Sequence, residues 1–200
     1  MSTFAYCVLL ETVNLPDTVE KIGLYTFAGC EYLEFINLEN IKEFSDYSFA
    51  SCVYLENVDL SSAEIIGEAA FADTYVSGSL VMNNLKVVKD YAFQGARIGS
   101  VMAQNLEEIG SAAFQNNKFL TSFTFSDKLT KVDVVSEIVC AKNSNSIVSN
   151  ETIQQASAIL QSLGYTQKEY QSALDTALTQ LTKDDSQELI KEALKILSIF

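Results

Sequence analysis

The stretch YTFAGCEYLEFINL, residues 25–38, returns twenty-two residues later as YSFASCVYLENVDL, residues 47–60. Such self-similarity decides an architecture before any other feature, because a fixed period of twenty to fifty residues marks a chain built of stacked units. Working outward, a phenylalanine preceded by a small residue recurs at Phe4, Phe27, Phe49, Phe71, Phe93 and Phe114, with spacings of 23, 22, 22, 22 and 21. Three residues after it stand Cys7, Cys30, Cys52, Thr74, Ala96 and Asn117. Nine and eleven after it come Val13 and Leu15, Ile36 and Leu38, Val58 and Leu60, Leu80 and Met82, and Phe123 and Phe125. The fifth unit is one residue short, and Ile98, Val101 and Ala103 take those places. Five before the anchor lie Ile22, Phe44, Ile66, Val88 and Ile109, with Gly23, Gly67 and Gly110 beside them.

The L-x-x-I-x-L segment alternates at period two, as a short strand with one buried face must. One such unit cannot bury its own apolar side, whereas stacked units form a continuous core. The pattern predicts a solenoid over residues 1–132. Its strands should form one parallel ladder through all six units, at about 4.8 Å per rung. The phenylalanines should stack inside as a spine, and Gly23, Gly67 and Gly110 are expected to supply positive φ where each coil returns.

The segment LPDTVEKIGLYTFAGCEYLEFINL, residues 15–38, resembles the BspA-like, or Treponema pallidum-type, leucine-rich repeat in skeleton and period. The resemblance implies a family of secreted or surface proteins that bind other proteins or cells. The chain begins inside a repeat without a polar cap, from which a fragment is expected; the unrelated family that the helical part resembles points instead to a chimera.

On the exposed side of the predicted ladder stand Thr12, Asn14, Phe35, Asn37, Asn57, Asp59, Ser79, Val81, Met102, Ser122 and Thr124. Phe35 is the aromatic of this row, with Tyr32 and Tyr54 near it, and aromatic side chains are the usual anchors of protein interfaces. Phe35, Asn37, Asn57 and Asp59 are therefore the candidate partner-binding residues. Cys7, Cys30 and Cys52 share a position with Thr, Ala and Asn, which predicts small packing thiols.

The repeat stops after Val132. Residues 133–149 read as a linker, Asn- and Ser-rich from 141 on, and the period then becomes helical. Three helices are predicted. The first runs from about Glu151 to Leu163 and stops at Gly164, the second opens on Thr166 and Glu169 as a capping box, and the third opens at Asp185. They are too short to stand alone and must pack together. The fold class expected is an α/β solenoid, a leucine-rich repeat with a short parallel strand ladder, followed by a small all-α three-helix bundle over 150–200.

Within that bundle ASAILQSLGYTQKEYQSALDTA, residues 156–177, and SQELIKEALKIL, residues 186–197, resemble the C-terminal third domain of RuvA, the bacterial Holliday-junction branch-migration protein. The resemblance implies a flexibly tethered three-helix unit, related to ubiquitin-associated domains, that docks on the RuvB motor ATPase. It also implies Leu160, Leu163, Tyr165 and Leu194 as docking residues. The OB-fold and the glycine-rich hairpins that hold DNA in that family have no counterpart in residues 1–132, which argues against a working RuvA. A role in branch migration through recruitment of RuvB is the alternative to a protein-binding repeat module.

Composition narrows the chemistry. The chain has 200 residues, 48% hydrophobic and 20% charged, with a net charge of −13. Residues 1–132 hold 8 basic and 17 acidic side chains, residues 133–200 hold 5 and 9, so both parts are acidic. Such a surface repels phosphate backbones, and no direct nucleic-acid binding is expected. There is no histidine, which removes the commonest general base and metal ligand. No cysteine pair has C-x-x-C spacing, no phosphate-binding or nucleophile motif occurs, and no apolar run is long enough to span a membrane. A non-enzymatic module without metal or cofactor is expected. The two resemblances point to different compartments, the repeat outward and the bundle to the cytoplasm.

Overall fold

The computed structural model describes residues 3–125, 128–132, 150–181 and 185–197. The linker predicted at 133–149, with Cys140, lies outside them. The six anchor phenylalanines bound about five turns of a parallel-strand solenoid. Their rings stack face to face, with centroids 5.4, 5.2, 5.2, 5.3 and 5.2 Å apart from Phe4 through to Phe114. Phe27, Phe49, Phe71, Phe93 and Phe114 are fully buried, whereas Phe4 at the open end of the stack is 42% exposed.

Each anchor amide donates to the carbonyl just before the next anchor: Phe27 N to Ser48 O, Phe49 N to Ala70 O, Phe71 N to Ala92 O and Phe93 N to Ala113 O, at 2.7–2.8 Å. These bonds bring two residues of every turn into the left-handed region. Two before the anchor are Tyr25, Tyr47, Ala69, Tyr91 and Ala112, and two after it are Tyr6, Gly29, Ser51, Asp73, Gly95 and Asn116, all at φ between 48° and 73°. The amides of Tyr25, Tyr47, Ala69 and Tyr91 each donate to the following turn. Non-glycine residues at such φ cost about 1–2 kcal/mol apiece, offset here by stacking bonds that recur in every turn.

Gly23, Gly67 and Gly110 are not among the positive-φ residues, contrary to expectation. Gly67 and Gly110 are small for a different reason. A Cβ on Gly67 would stand 2.6 Å from Asp46 N, and one on Gly110 would stand 2.4 Å from Asp90 N. Asp46 Oδ1 accepts from Glu68 N and Asp90 Oδ1 from Ser111 N, so an aspartate of one turn grips the residue after the glycine of the next.

The longest ladder is one that the strand pattern did not single out. β2 (Lys21–Ile22), β4 (Glu43–Phe44), β5 (Ile65–Ile66), β7 (Val87–Val88), β9 (Glu108–Ile109) and β11 (Lys131–Val132) form a continuous six-stranded parallel sheet. Its outer edge carries a column of alternating charge, Glu20, Lys42, Glu64, Lys86 and Glu107. Lys42 bonds Glu20 at 2.7 Å and Lys86 bonds Glu64 at 2.8 Å. The ladder through the Ile36 and Leu38 positions forms only in part. β1 (Thr12–Val13) pairs with β3 (Phe35–Ile36), and β6 (Ser77–Val81), β8 (Arg97–Ala103) and β10 (Ser122–Phe125) make a three-stranded sheet. The third turn, around Val58, belongs to neither.

α1 (Asn150–Ser162), α2 (Gln167–Leu178) and α3 (Ser186–Leu197) fall where helical periodicity placed them. Thr166 opens α2 by donating its N–H and its hydroxyl to the Glu169 carboxylate, at 2.8 and 2.7 Å. Asp185 Oδ1 accepts from Gln187 N and Glu188 N at the start of α3. The bundle is not a detached unit. Phe114 N, unlike the anchors before it, donates not to another coil but at 3.1 Å to Ser162 O at the end of α1. A helix C-terminus has free carbonyls, and this one stands where the next coil would. Gly164 packs so closely on the last coil that a Cβ would stand 2.7 Å from Gln115 Cα. Gln187 reaches the Phe125 carbonyl, and one apolar core runs from the repeats into the helices. The spine ends there too, with Phe123 edge-on to Phe114.

Candidate functional site

The strand positions of the third turn are the origin of the site. Asn37 ties the second turn to the first, since its Oδ1 accepts from Leu15 N at 2.7 Å and its Nδ2 donates to Leu15 O at 3.1 Å. Ser77 N donates to Glu56 O at 3.1 Å, and β6 then turns to pair with β8 alone. Gly78, at φ 74° with open space around it, adjoins a register shift against β8, where Gly99 has no partner in β6. The unpartnered Gly99 makes this a bulge of β8. Between these walls, no main-chain hydrogen bond from Asn57 to Leu60 joins a neighbouring turn.

A groove of about 500 Å³ opens there. Phe35, Asn37 and Glu39 form one wall, Asn57 and Asp59 the floor, and Ser77 to Leu80 the other wall. Phe35 is 54% exposed, while Ile36 and Leu38 on either side of Asn37 are buried, as alternation requires. Asp59 accepts from Ser61 N at 2.9 Å, and this bonding to Ser61 holds its carboxyl below the ordinary aspartate range. Beside the groove, the exposed rings of Tyr32 and Tyr54 stack at 5.0 Å. Phe35, Asn37, Asn57 and Asp59 thus share one concavity, although the amide of Asn37 is committed to Leu15. Sequence reasoning missed Glu39, Ser77 and Gly78. The signal for the last two was the glycine within VSGSL, residues 76–80.

The thiol position has a chemical logic. Cys30 Sγ donates to Phe4 O at 3.1 Å and Cys52 Sγ to Phe27 O at 3.0 Å. Asn117 Nδ2 reaches Phe93 O at 2.7 Å in the same way. The position suits a small group that can donate to a spine carbonyl. Burial pushes the Cys52 thiol up to about 12, which leaves it protonated and inert. Cys7, in the first turn, is exposed. Among the described residues no cluster of three or more His, Cys, Asp or Glu is placed to hold a metal ion, and no helix is long and apolar enough to cross a membrane.

In the helical part Leu160, Leu163 and Leu194 are buried. Tyr165 is half-buried, and burial, with the charge of Glu169 second, raises its phenol above the ordinary tyrosine value.

The sequence model of the BspA type leucine rich repeat region matches residues 1–121 and 44–159, in six copies. The chain belongs to the BspA-type leucine-rich repeat family. Two solved structures share its fold. A leucine-rich repeat protein from Bacteroides ovatus is similar at 21% identity and a TM-score of 0.54, over 66% of this chain and 39% of that one. The T. pallidum leucine-rich repeat protein is similar at 26% identity and a TM-score of 0.57, over 64% of this chain and 63% of that one. The BspA-type chain described here therefore spans less than two thirds of the length of either. The model of the RuvA C-terminal domain matches residues 152–198. No curated protein matches the chain.

Proposed function

We propose that this BspA-type chain is a non-enzymatic protein-binding module that takes its partner on the interrupted ladder face, with Phe35 as the anchor. The observation that carries it is the groove at the third turn, where the strand ladder lapses and an exposed aromatic ring borders polar side chains. Repeat proteins bind through the surface their stacked strands present, and an aromatic ring at the edge of a concavity offers the largest gain on burial. Asn57 and Asp59 supply polar contacts, and Asn37 holds the wall. No chemical step is part of this role. The test is to pan a phage-displayed random peptide library against the full chain and against Phe35→Ala. Peptides enriched on the first and lost on the second support the function. Enrichment indifferent to Phe35 would place binding elsewhere and refute it.

A second reading follows from the RuvA C-terminal match, namely docking of the helical unit on a RuvB-type ATPase. Tyr165 is its best contact, being the one of the four implied residues that is not buried. Leu160, Leu163 and Leu194 could take part only if the bundle opened. Calorimetric titration with RuvB should give saturable binding that Tyr165→Ala abolishes. No heat up to about millimolar concentrations, where free energies fall near 4 kcal/mol, would exclude it.

A further inference from the structure

We propose that the groove at the third turn takes an extended, lysine- or arginine-bearing segment of a partner protein, which completes the missing hydrogen bonds of Asn57 to Leu60. The proposal rests on the protein-binding reading above and adds the chemistry of what is bound. Three independent features point to it.

The first is the main chain. The amides and carbonyls of Asn57, Val58 and Asp59 make no bond to another turn, whereas the positions corresponding to Asn57 and Val58 are paired in β1, β3, β6, β8 and β10. Backbone groups not paired within the protein are satisfied by water or by a ligand. An extended peptide is the ligand that offers donors and acceptors at strand spacing, the chemistry by which peptides join sheets in other proteins. The second is shape. The groove of about 500 Å³ lies open over the third turn, walled by Phe35 to Glu39 on one side and by Ser77 to Leu80 on the other, and an extended chain fits along it. The third is charge. Glu39 and Asp59 line the groove, and no lysine or arginine does. Glu34 and Glu56, both exposed, immediately precede Phe35 and Asn57. Hydrogen bonds from Ser61 hold the Asp59 carboxyl below the ordinary aspartate range. Alternate side chains of a strand point the same way, so one set of a bound peptide would face the acids while Phe35 covers its backbone.

Three fluorescein-labelled decapeptides test this by anisotropy on the full chain: alternating Thr-Lys, alternating Thr-Gln and alternating Thr-Glu. The Thr-Lys peptide should bind at least tenfold tighter than Thr-Gln, and Thr-Glu should not bind. Glu39→Gln with Asp59→Asn, where Asn still accepts from Ser61, should erase that preference. Glu107→Gln with Glu188→Gln removes the same charge away from the groove and should leave the preference standing. N-methylation of the threonines removes peptide donors and should weaken binding at least fivefold. Equal losses in both double variants would mean diffuse attraction to an acidic protein and would overturn the proposal. So would indifference to N-methylation, or Thr-Gln binding as tightly as Thr-Lys. These outcomes are distinct from failure of the parent reading. If the library enriches Phe35-dependent peptides that are neutral or acidic, the face binds protein and only the basic, extended class is wrong.

Discussion

Phe71 lies at the middle of the aromatic spine, and its truncation gives the sharpest test of how the solenoid is held. Its ring is wholly buried, stacked on Phe49 at 5.2 Å and Phe93 at 5.3 Å, with Phe44 tilted against it at 5.1 Å. Phe→Ala in a packed core costs about 3–5 kcal/mol, and aromatic pairs are worth about 0.5–1.5 kcal/mol beyond their burial. Phe71→Ala, which breaks three such pairs, should fall near the top of that range, at about 4–5 kcal/mol. Phe4 occupies the same repeat position, yet it is 42% exposed and stacks on Phe27 alone. Its truncation should cost about 1 kcal/mol, since roughly half the burial and one stack are at stake. In urea, with a slope of about 2–3 kcal/mol per molar for a chain of this size, Phe71→Ala should lower the midpoint by about 2 M and Phe4→Ala by less than 0.5 M. Far-ultraviolet circular dichroism is the readout. A one-dimensional array can also lose cooperativity when an interior unit is weakened, so a broadened Phe71→Ala transition is consistent. Equal midpoints for the two variants would refute the stacked spine as the source of stability.

Gly67→Ala should destabilise by about 1–3 kcal/mol through overpacking against Asp46 and Phe44 O. Gly99→Ala, whose nearest contact would be 3.4 Å, should cost under about 1 kcal/mol in the same urea titration. Iodoacetamide at pH 8 followed by peptide mass mapping should label Cys7 readily, and Cys52 only after unfolding, because burial keeps its thiol protonated up to about 12. The hydrogen bonds from Thr166 lower the Glu169 carboxyl, so its contribution to α2 is complete above the ordinary glutamate range and is lost as pH falls through the lowered folded value. Glu169→Gln should remove that component from the thermal midpoint measured between about pH 6 and pH 3.

The repeat, the spine and the three helices could be read from the sequence because each depends on local periodicity. Phe27 or Leu174 has one environment compatible with its spacing. The second ladder was harder to see. Its strands hold two residues each, Ile22 or Phe44 with one neighbour, too short for alternation to register. The glycines misled because a small residue answers both a positive φ and a close approach, and only the position of Asp46 or Asp90 distinguishes them. Phe35, Asn57 and Asp59 could be placed on one face. That the face opens there depends on β6 pairing with β8 and not with the third turn, which is a relation between turns. Docking of α1 on the last coil runs through the Ser162 carbonyl and the close approach of Gly164 to Gln115, and neither leaves a trace in composition.

The alternating charges of Glu20, Lys42, Glu64, Lys86 and Glu107 give the array a parity. Lys42 feels Glu64 as well as Glu20, and Lys86 feels Glu107 as well as Glu64, so each side chain is attracted from both sides. Copying a single turn within the array would set two like charges one rung apart. Copying two adjacent turns would keep every neighbour opposite. Each pair is exposed and weak, but the sign of the effect depends only on whether the number of added turns is odd or even. Growth of this solenoid by duplication is therefore favoured in pairs of coils, inserted upstream of Phe114, where the helical terminus is left untouched.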